Sequence, residues 1–295
     1  MATAGRTLAQ AKINLALRIL GRNADGYHSI ETVFLRIDLG DSIQVRVTDG
    51  ARGLRCRKMP GENPQENLAF RAAALFAERT GWPGGFEIEI EKQIPIGGGL
   101  GGGSADAAAT LRILNALSPR PLGGEDLLRL AGDLGADVSF LLSEHVMALA
   151  RGRGEKMVPL QPLPPRKLVL LVPPQGMSTA RAYALVAAAR GAYETRPRCL
   201  SPEMFRSWDD AARHSVNEFE PFVGDELPGI RAWLEGGARL GIITRLSGSG
   251  SAVFLVDTGT KDSLQGAVTS LGLDAATTVI RTRTADSVVP IEVLD

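Results

Sequence analysis

The stretch PIGGGLGGGSADAAATL, residues 95–111, has the residue types and spacing of an anion-binding segment. Six of the seven residues at 97–103 are glycine, and ordering so many glycines costs backbone entropy. A predicted strand precedes the loop, and an alanine-rich predicted helix follows, with Ser104 as its N-cap. Glycines let the backbone approach an anion, and the first helix amides have no partner inside the helix. The segment therefore predicts a phosphate cradle.

Three known kinds of glycine loop resemble this segment in part. Gly97, Gly99 and Gly102 match the dinucleotide pattern G-x-G-x-x-G, but SPRPLGGED leads into another helix instead of the required strand. A P-loop needs Gly-Lys-Ser/Thr where this loop ends Gly-Gly-Ser, and the H-R-D motif of protein kinases does not follow. A linker or tight turn is the alternative without function, but a capped helix directly after the loop argues against it.

Charged residues outside the loop have positions suited to phosphoryl transfer. Lys12 and Asn14 lie two residues apart in the alternating stretch AKINLALRIL, so both point to the polar face of a half-buried predicted strand. The reaction needs charge neutralisation and a group that accepts the hydroxyl proton, for which Asp137 in LGADV is the candidate. From the residues alone, a solvated strand lysine is the usual explanation of Lys12, and Asp137 could equally be the N-cap of the short helix VSFLLS.

Composition and charge exclude several classes of protein. The chain has 295 residues, and its 33 basic residues balance 33 acidic ones. This balance argues against a nucleic-acid partner. No run approaches the about 20 apolar residues of a membrane span, and MATAGRTLAQAK lacks the apolar core of a signal peptide. We therefore expect a cytoplasmic protein that binds neither nucleic acid nor membrane.

Cysteine and histidine usage gives no sign of a metal site. Cys56 and Cys199 are far apart, and we expect both to be free thiols in a reducing compartment. The three histidines are scattered along the chain, so no protein-held metal is predicted.

Hydrophobic periodicity predicts mixed strands and helices. The predicted strands are AKINLALRIL, IETVFLRIDLG, DSIQVRV, FEIEIEKQI, KLVLLV, GIITRL, AVFLVD and a final TTVIRTR. The predicted helices are NLAFRAAALFAERTG, the alanine-rich run after the loop, EDLLRLAGDLG, VSFLLS, RAYALVAAAR, LPGIRAWLEGG and one before TTVIRTR, with a turn over residues 23–26. Pro162, Pro164 and Pro165 form the best boundary, so we expect an α+β protein with domains 1–162 and 163–295.

Several blocks of the sequence resemble the motifs of the GHMP kinase superfamily, small-molecule kinases without a Walker lysine. PIGGGLGGGSADAA resembles the central P-x-x-x-G-L-G-x-x-S-A motif, AKINLALRILGRNADGYHSIETVF the N-terminal motif, and LSGSGSAVF the C-terminal glycine motif. The blocks occur in the right order over nearly the whole chain. There are two departures: Ala105 stands where the family commonly has serine, and Ser139 where proline is common.

The resemblance implies a two-domain fold with substrate bound between the domains. The N-terminal domain would be of the ribosomal-protein-S5-domain-2-like type and would bind ATP, and the C-terminal domain would be ferredoxin-like. Mg²⁺ would arrive bound to ATP and be held largely by phosphates and water. Within the superfamily, the blocks AKINL, DGYH, LGADV and STARAY resemble the corresponding blocks of one group of kinases. These kinases phosphorylate the 2-hydroxyl of a cytidine-diphosphate-linked methylerythritol in the non-mevalonate isoprenoid route. Such kinases would be monomers or homodimers.

The resemblance also implies a role for each matching residue. Lys12 and Asp137 would be the catalytic pair, with Lys12 stabilising charge on the moving phosphoryl group. The residues implied in ATP binding are Pro95, Gly97, Gly98, Gly99, Leu100, Gly101, Gly102, Gly103 and Ser104 in the loop, with Asn67 and Lys92 near the adenine. Those implied in acceptor binding are Asn14, Tyr27, His28, Thr179, Tyr183, Ser247, Gly248, Ser249 and Gly250, the three ring-bearing ones forming the cytosine pocket.

Plain structural explanations remain for the peripheral residues. Lys92 could be an exposed strand lysine, Tyr183 part of a helix core, and the SGSGS loop an ordinary flexible hairpin. Other functions also remain: a GHMP kinase for mevalonate, homoserine or a sugar, a nucleotide-binding module without catalysis, or a dehydrogenase that uses the G-x-G-x-x-G. The DGYH block argues against other acceptors, and the presence of both Lys12 and Asp137 argues against an inactive module.

Overall fold

The computed structural model describes residues 3–22, 28–57, 63–190, 197–257 and 264–294. Within these ranges the chain forms strands and α-helices interspersed along its length, which confirms the α+β class. The turn predicted over residues 23–26 lies outside the described residues. None of the helices in these ranges combines the length and the apolar character that crossing a membrane requires.

The elements follow one another in a mixed order. The strands are β1 (Ala4–Arg22), β2 (His28–Thr48), β3 (Arg52–Cys56), β4 (Gly85–Glu91), β5 (Met147–Gly152), β6 (Lys156–Pro159), β7 (Lys167–Val172), β8 (Val216–Asn217), β9 (Ile243–Leu246), β10 (Val253–Val256), β11 (Thr278–Arg283) and β12 (Glu292–Leu294). The α-helices are α1 (Leu68–Thr80), α2 (Gly102–Leu117), α3 (Gly124–Leu134), α4 (Ala136–Leu142), α5 (Thr179–Arg190), α6 (Trp208–His214), α7 (Glu220–Glu226), α8 (Pro228–Arg239) and α9 (Leu264–Ser270).

The larger sheet is organised around the long antiparallel pair β1 and β2. Its main path runs β12-β1-β2-β4-β3, while β5 also pairs with β2, β6 with β5, and β8 with β1. The β1–β2 register shifts between Gln10 and Lys12 and again between Asn14 and Ala16. Such bulges twist a strand and re-aim its side chains. Here they flank the segment that carries Lys12 and Asn14.

Strand β1 is buried on both faces, whereas its alternating sequence predicts one polar, solvated face. Ile13 lies in the core as expected, but Lys12 and Asn14 on the other face are only 3% and 2% exposed. The glycine loop and helix α4 cover this second face: a Cβ built on Gly101 would lie 3.1 Å from Lys12 Cε and 3.3 Å from Leu141 Cδ1. Lys12 is therefore not a solvated strand lysine.

The smaller sheet lies between two hydrophobic cores. It contains four antiparallel strands in the order β11-β7-β10-β9. Along β7, Leu168 and Leu170 belong to the core of the larger sheet and its helices, whereas Val169 and Leu171 belong to a second core with α5, α7, α8 and α9. Because successive strand side chains point to opposite faces, KLVLLV needs apolar residues at nearly every position.

Most predicted elements are confirmed, and α1 ends at Gly81 and α3 at Gly135 as expected. IETVFLRIDLG and DSIQVRV form the single strand β2. The prediction that TTVIRTR is the final strand is wrong, because β12 follows it and pairs with residues 4–6 of β1. Strands β8 and β12 are two and three residues long and form by pairing with a distant strand, so they leave no periodic signal. The boundary at residue 162 stays a prediction.

A buried arginine fixes the position of the short helix α4. Arg36, on β2, is only 2% exposed, and its guanidinium donates hydrogen bonds of 2.6–3.0 Å to four backbone carbonyl oxygens within residues 140–145. Carbonyls at the end of a helix have no partner inside it, and positive charge is favourable there. Arg36 thus anchors one end of the helix whose first turn carries Asp137.

We expect Arg36→Lys to lower the free energy of unfolding by about 2–4 kcal/mol, because a compact ammonium leaves buried carbonyls unpaired. Urea denaturation followed by circular dichroism measures the change. Arg46→Lys, an exposed position on the same strand, is the matched control and should change the value by less than about 0.5 kcal/mol. Equal losses in the two variants would contradict the anchoring role of Arg36.

Candidate active site

The glycine-rich loop passes directly into helix α2. The helix begins at Gly102, and its N-cap is Gly101, whose φ is 73°. The prediction of Ser104 as N-cap is wrong: Ser104 is the third residue of the helix, because the left-handed Gly101 turns the chain into the helix earlier. Gly97 and Gly99 have φ of 75° and 73°, a conformation that favours glycine. The first-turn amides of α2 have no partners within the helix and are available to an anion.

A second glycine-containing loop, residues 247–251 between β9 and β10, packs against the first. The amide of Ala252 donates to the Gly98 carbonyl at 3.1 Å, and the Ser247 hydroxyl donates to the Gly99 carbonyl at 2.9 Å. Ser249 and Ser251 are only 7% and 2% exposed. Residues 247–251 are therefore a packed connection, unlike the flexible hairpin that the sequence alone also allowed.

The ammonium group of Lys12 lies at the centre of the site. Its Nζ donates to Asn14 Oδ1 and to the Gly99 carbonyl oxygen, each at 2.9 Å, and lies 3.3 Å from Asp137 Oδ2. Asn14 donates in turn to the Thr32 hydroxyl at 2.7 Å. The Lys12 side chain is 4% exposed and that of Asp137 36%. The pair thus combines a buried, fixed cation with a carboxylate that a ligand can reach.

Asp137 lies in the first turn of α4, which begins at Ala136 with Gly135 as its N-cap. The alternative that Asp137 is an N-cap is therefore wrong. The helix dipole favours a carboxylate in this turn.

An aromatic cluster lies close to this pair. The rings of His28 and Tyr183 are stacked with centroids 4.2 Å apart, and Tyr183 meets Phe219 edge-on at 4.9 Å. Two rings at 4.2 Å leave no gap for a third between them. A flat ligand must therefore stack on an outer ring face or displace His28 from Tyr183. Tyr27, predicted to join this cluster, lies outside the described residues.

The surroundings set the protonation of the two stacked rings. Burial, and secondarily the charge of Asp137, raises the pKa of Tyr183 to about 12, so the phenol keeps its proton near neutral pH. Burial, and secondarily the charge of Arg22, lowers the pKa of His28, which favours the neutral imidazole. At the edge of the cluster, the hydroxyls of Thr179 and Ser249 are within hydrogen-bond distance at 3.0 Å.

A cavity of about 260 Å³ is bounded by residues 94–103 together with Asn67, Lys92 and Asp106. Asn67 is the N-cap of α1, where its Oδ1 accepts a hydrogen bond from the Ala69 amide at 2.9 Å. Lys92 is 6% exposed, so the exposed-lysine alternative is wrong. The cavity wall therefore contains the loop residues, Pro95 and Leu100 included, and both side chains predicted near the adenine.

Several residues of the site lie outside the sequence motifs or were not predicted from them. Asn217 donates from Nδ2 to the carbonyls of Leu246 at 2.7 Å and Gly248 at 2.8 Å, which holds residues 247–251 in place. Asp41 and Asp106 are buried beside Lys92. The only local signal is at Asp106, a carboxylate inside the apolar helix stretch ADAAATL. The partners of Asn217 and Asp41 are set by long-range packing.

The comparisons with known proteins agree with this geometry. Residues 67–148 match the family model described as GHMP kinases N terminal domain. A 4-diphosphocytidyl-2-C-methyl-D-erythritol kinase of Desulfitobacterium hafniense (strain Y51) is 40% identical over 260 residues, which cover 83% of this chain and 84% of the relative. The chain belongs to the 4-diphosphocytidyl-2-C-methyl-D-erythritol kinase family. It is thus a small-molecule kinase, a transferase whose phosphoryl donor is ATP.

Solved structures confirm the GHMP kinase fold. A crystal structure of 4-(cytidine 5'-diphospho)-2C-methyl-D-erythritol kinase shares 35% sequence identity and a TM-score of 0.75, over 95% of this chain and 98% of that chain. Homoserine kinase from Cytophaga hutchinsonii has a TM-score of 0.73 at 19% identity, over 100% of this chain and 98% of that chain. At that identity the second likeness shows the fold alone.

Gly99→Ala in this kinase should be far more disruptive than Gly97→Ala. Both residues have positive φ, but a Cβ on Gly99 would lie 2.1 Å from the Ser247 carbonyl oxygen, whereas Gly97 has nothing within 4 Å. Backbone strain of about 1–2 kcal/mol is thus common to both variants, and the clash is confined to one. Urea unfolding should show a larger loss of stability for Gly99→Ala by at least about 2 kcal/mol. Equal losses would mean that the two loops do not pack as described.

Proposed function

We propose that this kinase transfers the γ-phosphoryl group of ATP to the 2-hydroxyl of 4-diphosphocytidyl-2-C-methyl-D-erythritol, giving the 2-phosphate and ADP. The observation that carries the proposal is the pairing of Lys12 with Asp137, 3.3 Å apart beside the glycine loop. The stacked pair His28 and Tyr183 lies close by, as a cytidine-bearing acceptor requires. The similar kinases named above agree with this acceptor. The reaction would belong to the non-mevalonate route to isoprenoid precursors.

Asp137 is proposed as the base that accepts the proton of the acceptor hydroxyl. Its carboxylate is the exposed member of the pair, while the Lys12 ammonium is held by Asn14 and Gly99. Held in this way, Lys12 needs little reorganisation to stabilise negative charge on the transferring phosphoryl group. Proton acceptance and charge stabilisation would therefore take place at adjacent atoms.

The first-turn amides of α2 and the loop at 95–104 are proposed to hold the triphosphate of ATP. The observations that support this role are the left-handed glycines and the cavity that the loop bounds. In the described residues, no group of three or more His, Cys, Asp or Glu side chains is placed to hold a metal ion. Mg²⁺ is proposed to be held by phosphate oxygens and water and to neutralise phosphate charge.

The acceptor is proposed to bind on the side of residues 247–251. His28 and Tyr183 would recognise the cytosine, joined by Tyr27, with Thr179 and Ser249 offering hydroxyls. Gly248 and Gly250 would let the backbone approach the acceptor, and Ser247 and Asn14 would orient the groups around Lys12. The contact between the Thr179 and Ser249 hydroxyls supports this proposal, because it joins the helix that carries Tyr183 to residues 247–251.

The domain division, location, oligomeric state and partners of the protein form part of the same proposal. The chain is proposed to divide into domains 1–162 and 163–295, to act in the cytoplasm as a monomer or homodimer, and to bind neither nucleic acid nor membrane. The balanced charge supports the absence of a nucleic-acid partner. The smaller sheet, whose strands all follow residue 162, supports the division, while β8 and β12 return to complete the larger sheet.

Asp137→Asn should lower kcat at least about 1,000-fold, because the amide cannot accept the hydroxyl proton. Purified protein is mixed with Mg·ATP and the cytidine-diphosphate acceptor, ADP release is followed, and the product is identified by mass spectrometry. Asp133→Asn, an exposed position on α3, is the control and should keep full activity. Thermal unfolding should show that both variants are folded. Full turnover by Asp137→Asn would remove it as the base.

Tyr183→Leu should raise KM for the acceptor about tenfold and leave KM for ATP unchanged, because only the acceptor side loses a ring. Tyr183→Phe keeps the ring and should retain most of the acceptor affinity.

In the unaltered enzyme, CMP and CDP should compete with the acceptor. Turnover of mevalonate, homoserine or a sugar with indifference to CMP would contradict the proposed acceptor. ATP binding without turnover of any acceptor would favour a binding module.

A further inference from the structure

A buried charge cluster joins the two ends of the glycine loop. The Lys92 ammonium lies 2.8 Å from Asp106 Oδ2 and 2.5 Å from Asp41 Oδ2. All three side chains are at most 7% exposed. Lys92 directly follows β4 on the way into the loop, and Asp106 lies in α2, which leads out of it. The cluster therefore connects the chain before the loop with the chain after it.

Asp41 also anchors the backbone that enters the loop. Its Oδ1 accepts hydrogen bonds from the amides of Gln93 at 2.5 Å and Ile94 at 2.8 Å. Both carboxylate oxygens of Asp41 are thus engaged, one with the backbone and one with Lys92. Buried ions are tolerated only when hydrogen bonds satisfy them in this way.

Asp106 differs from Asp41 because one of its oxygens is unused. Oδ1 of Asp106 is buried and has no hydrogen-bond partner among the described residues. Asp106 also contributes to the wall of the 260 Å³ cavity bounded by the glycine loop. A buried polar atom without a partner is rare in folded proteins and calls for an explanation. Because Asp106 lies in the wall of the cavity, the cluster it forms with Lys92 can affect what the cavity binds.

The charge of the cluster suits an anionic ligand. Burial raises the pKa of Asp106 to about 8, although Lys92 opposes the shift. Burial alone would lower the pKa of Lys92, but Asp106 and Asp41 together raise it, so the ammonium is retained. The Lys92 ammonium is thus kept in the wall of the cavity, where it can attract an anionic ligand.

We propose that Asp106 is a positioning residue for the phosphate donor: it acts through Lys92, which it holds together with Asp41 at the wall of the nucleotide cavity. The inference rests on the proposed function, in that the cavity must receive ATP. Without Asp106, Lys92 would keep only its contact with Asp41, and the two ends of the loop would no longer share a partner. The donor would then bind to a less ordered loop.

The test compares Asp106→Ala with Asp106→Asn in the full chain. Asparagine keeps an oxygen that accepts from Lys92 and carries no charge, whereas alanine removes the contact. Thr110→Val is the control: Thr110 is a buried residue one turn further along α2, and its hydroxyl donates to the Asp106 carbonyl. Steady-state kinetics with varied Mg·ATP give KM and kcat, and calorimetry with the non-hydrolysable analogue AMP-PNP gives Kd without an acceptor.

For Asp106→Ala we expect KM for ATP and Kd for AMP-PNP to rise about tenfold, with kcat and acceptor KM within about threefold of the unaltered enzyme. Asp106→Asn should restore most of the nucleotide affinity, and Thr110→Val should leave it unchanged despite a lower Tm. If Asp106→Ala does not fold, Asp106→Ser, too short to reach Lys92, replaces it in the comparison.

An Asp106→Ala enzyme with lowered Tm but unchanged nucleotide Kd would overturn the proposal, because the cluster would then serve stability alone. Asp106→Asn binding as weakly as the alanine variant would also overturn it. The calorimetry is independent of the acceptor. An unaltered enzyme that binds AMP-PNP but does not phosphorylate the cytidine compound would count against the proposed function and leave this comparison intact.

Discussion

The backbone carbonyl oxygen of Gly99 is the contact on which the site depends. It accepts hydrogen bonds from the Lys12 ammonium and from the Ser247 hydroxyl, residues 87 and 148 positions away in the chain. Only a glycine fits there, because the Ser247 carbonyl approaches the place where a Cβ would be. This one peptide group therefore fixes the position of the Lys12 ammonium relative to both glycine-containing loops. The phosphate donor and the acceptor are proposed to meet at this point.

Buried cations recur around the site, and each is held by a different set of acceptors. Lys12 has an amide oxygen, a backbone carbonyl and a carboxylate, Arg36 has four carbonyls, and Lys92 has two carboxylates. Burying a charge is costly unless its hydrogen bonds are satisfied. The side chains that satisfy these cations are consequently fixed in position. Rigid placement of charge is what electrostatic catalysis of phosphoryl transfer requires.

Sequence patterns predicted the strands and helices whose formation depends on interactions between residues close together in the chain. FEIEIEKQI alternates and forms β4, and the helix NLAFRAAALFAERTG ends at a left-handed Gly81. The resemblance to the GHMP kinases implied the pair Lys12 and Asp137, which the fold brings together. The burial of Lys12 could not be predicted, because the cover over its strand comes from the glycine loop and α4, about 90 and 130 residues later in the chain.

Other features of the site were also beyond prediction from the sequence, for two different physical reasons. Ser104 is of a residue type that is common at N-caps, but the conformation of Gly101 decides where α2 begins. Tyr183 stays predicted as the second aromatic wall of a cytosine pocket, and its stacking on His28 of strand β2 could not be predicted from the sequence. Asp41 gives no local hint that it anchors the glycine loop. For Tyr183 and Asp41 the deciding contact joins distant segments of the chain, whereas for Ser104 the missing information is the left-handed φ of a glycine three residues earlier.

The pairing of β1 with β8 and β12 has a consequence for biosynthesis. Residues 4–6 of β1 pair with β12, and Ala16 and Leu17 pair with β8. A ribosome extends the chain by about 5–20 residues per second, so the strand that carries Lys12 waits many seconds for both neighbours. During that interval its edge offers unpaired amides and carbonyls to any other nascent chain. A nascent chain that stalls before residues 292–294 would therefore keep part of this edge of β1 unpaired.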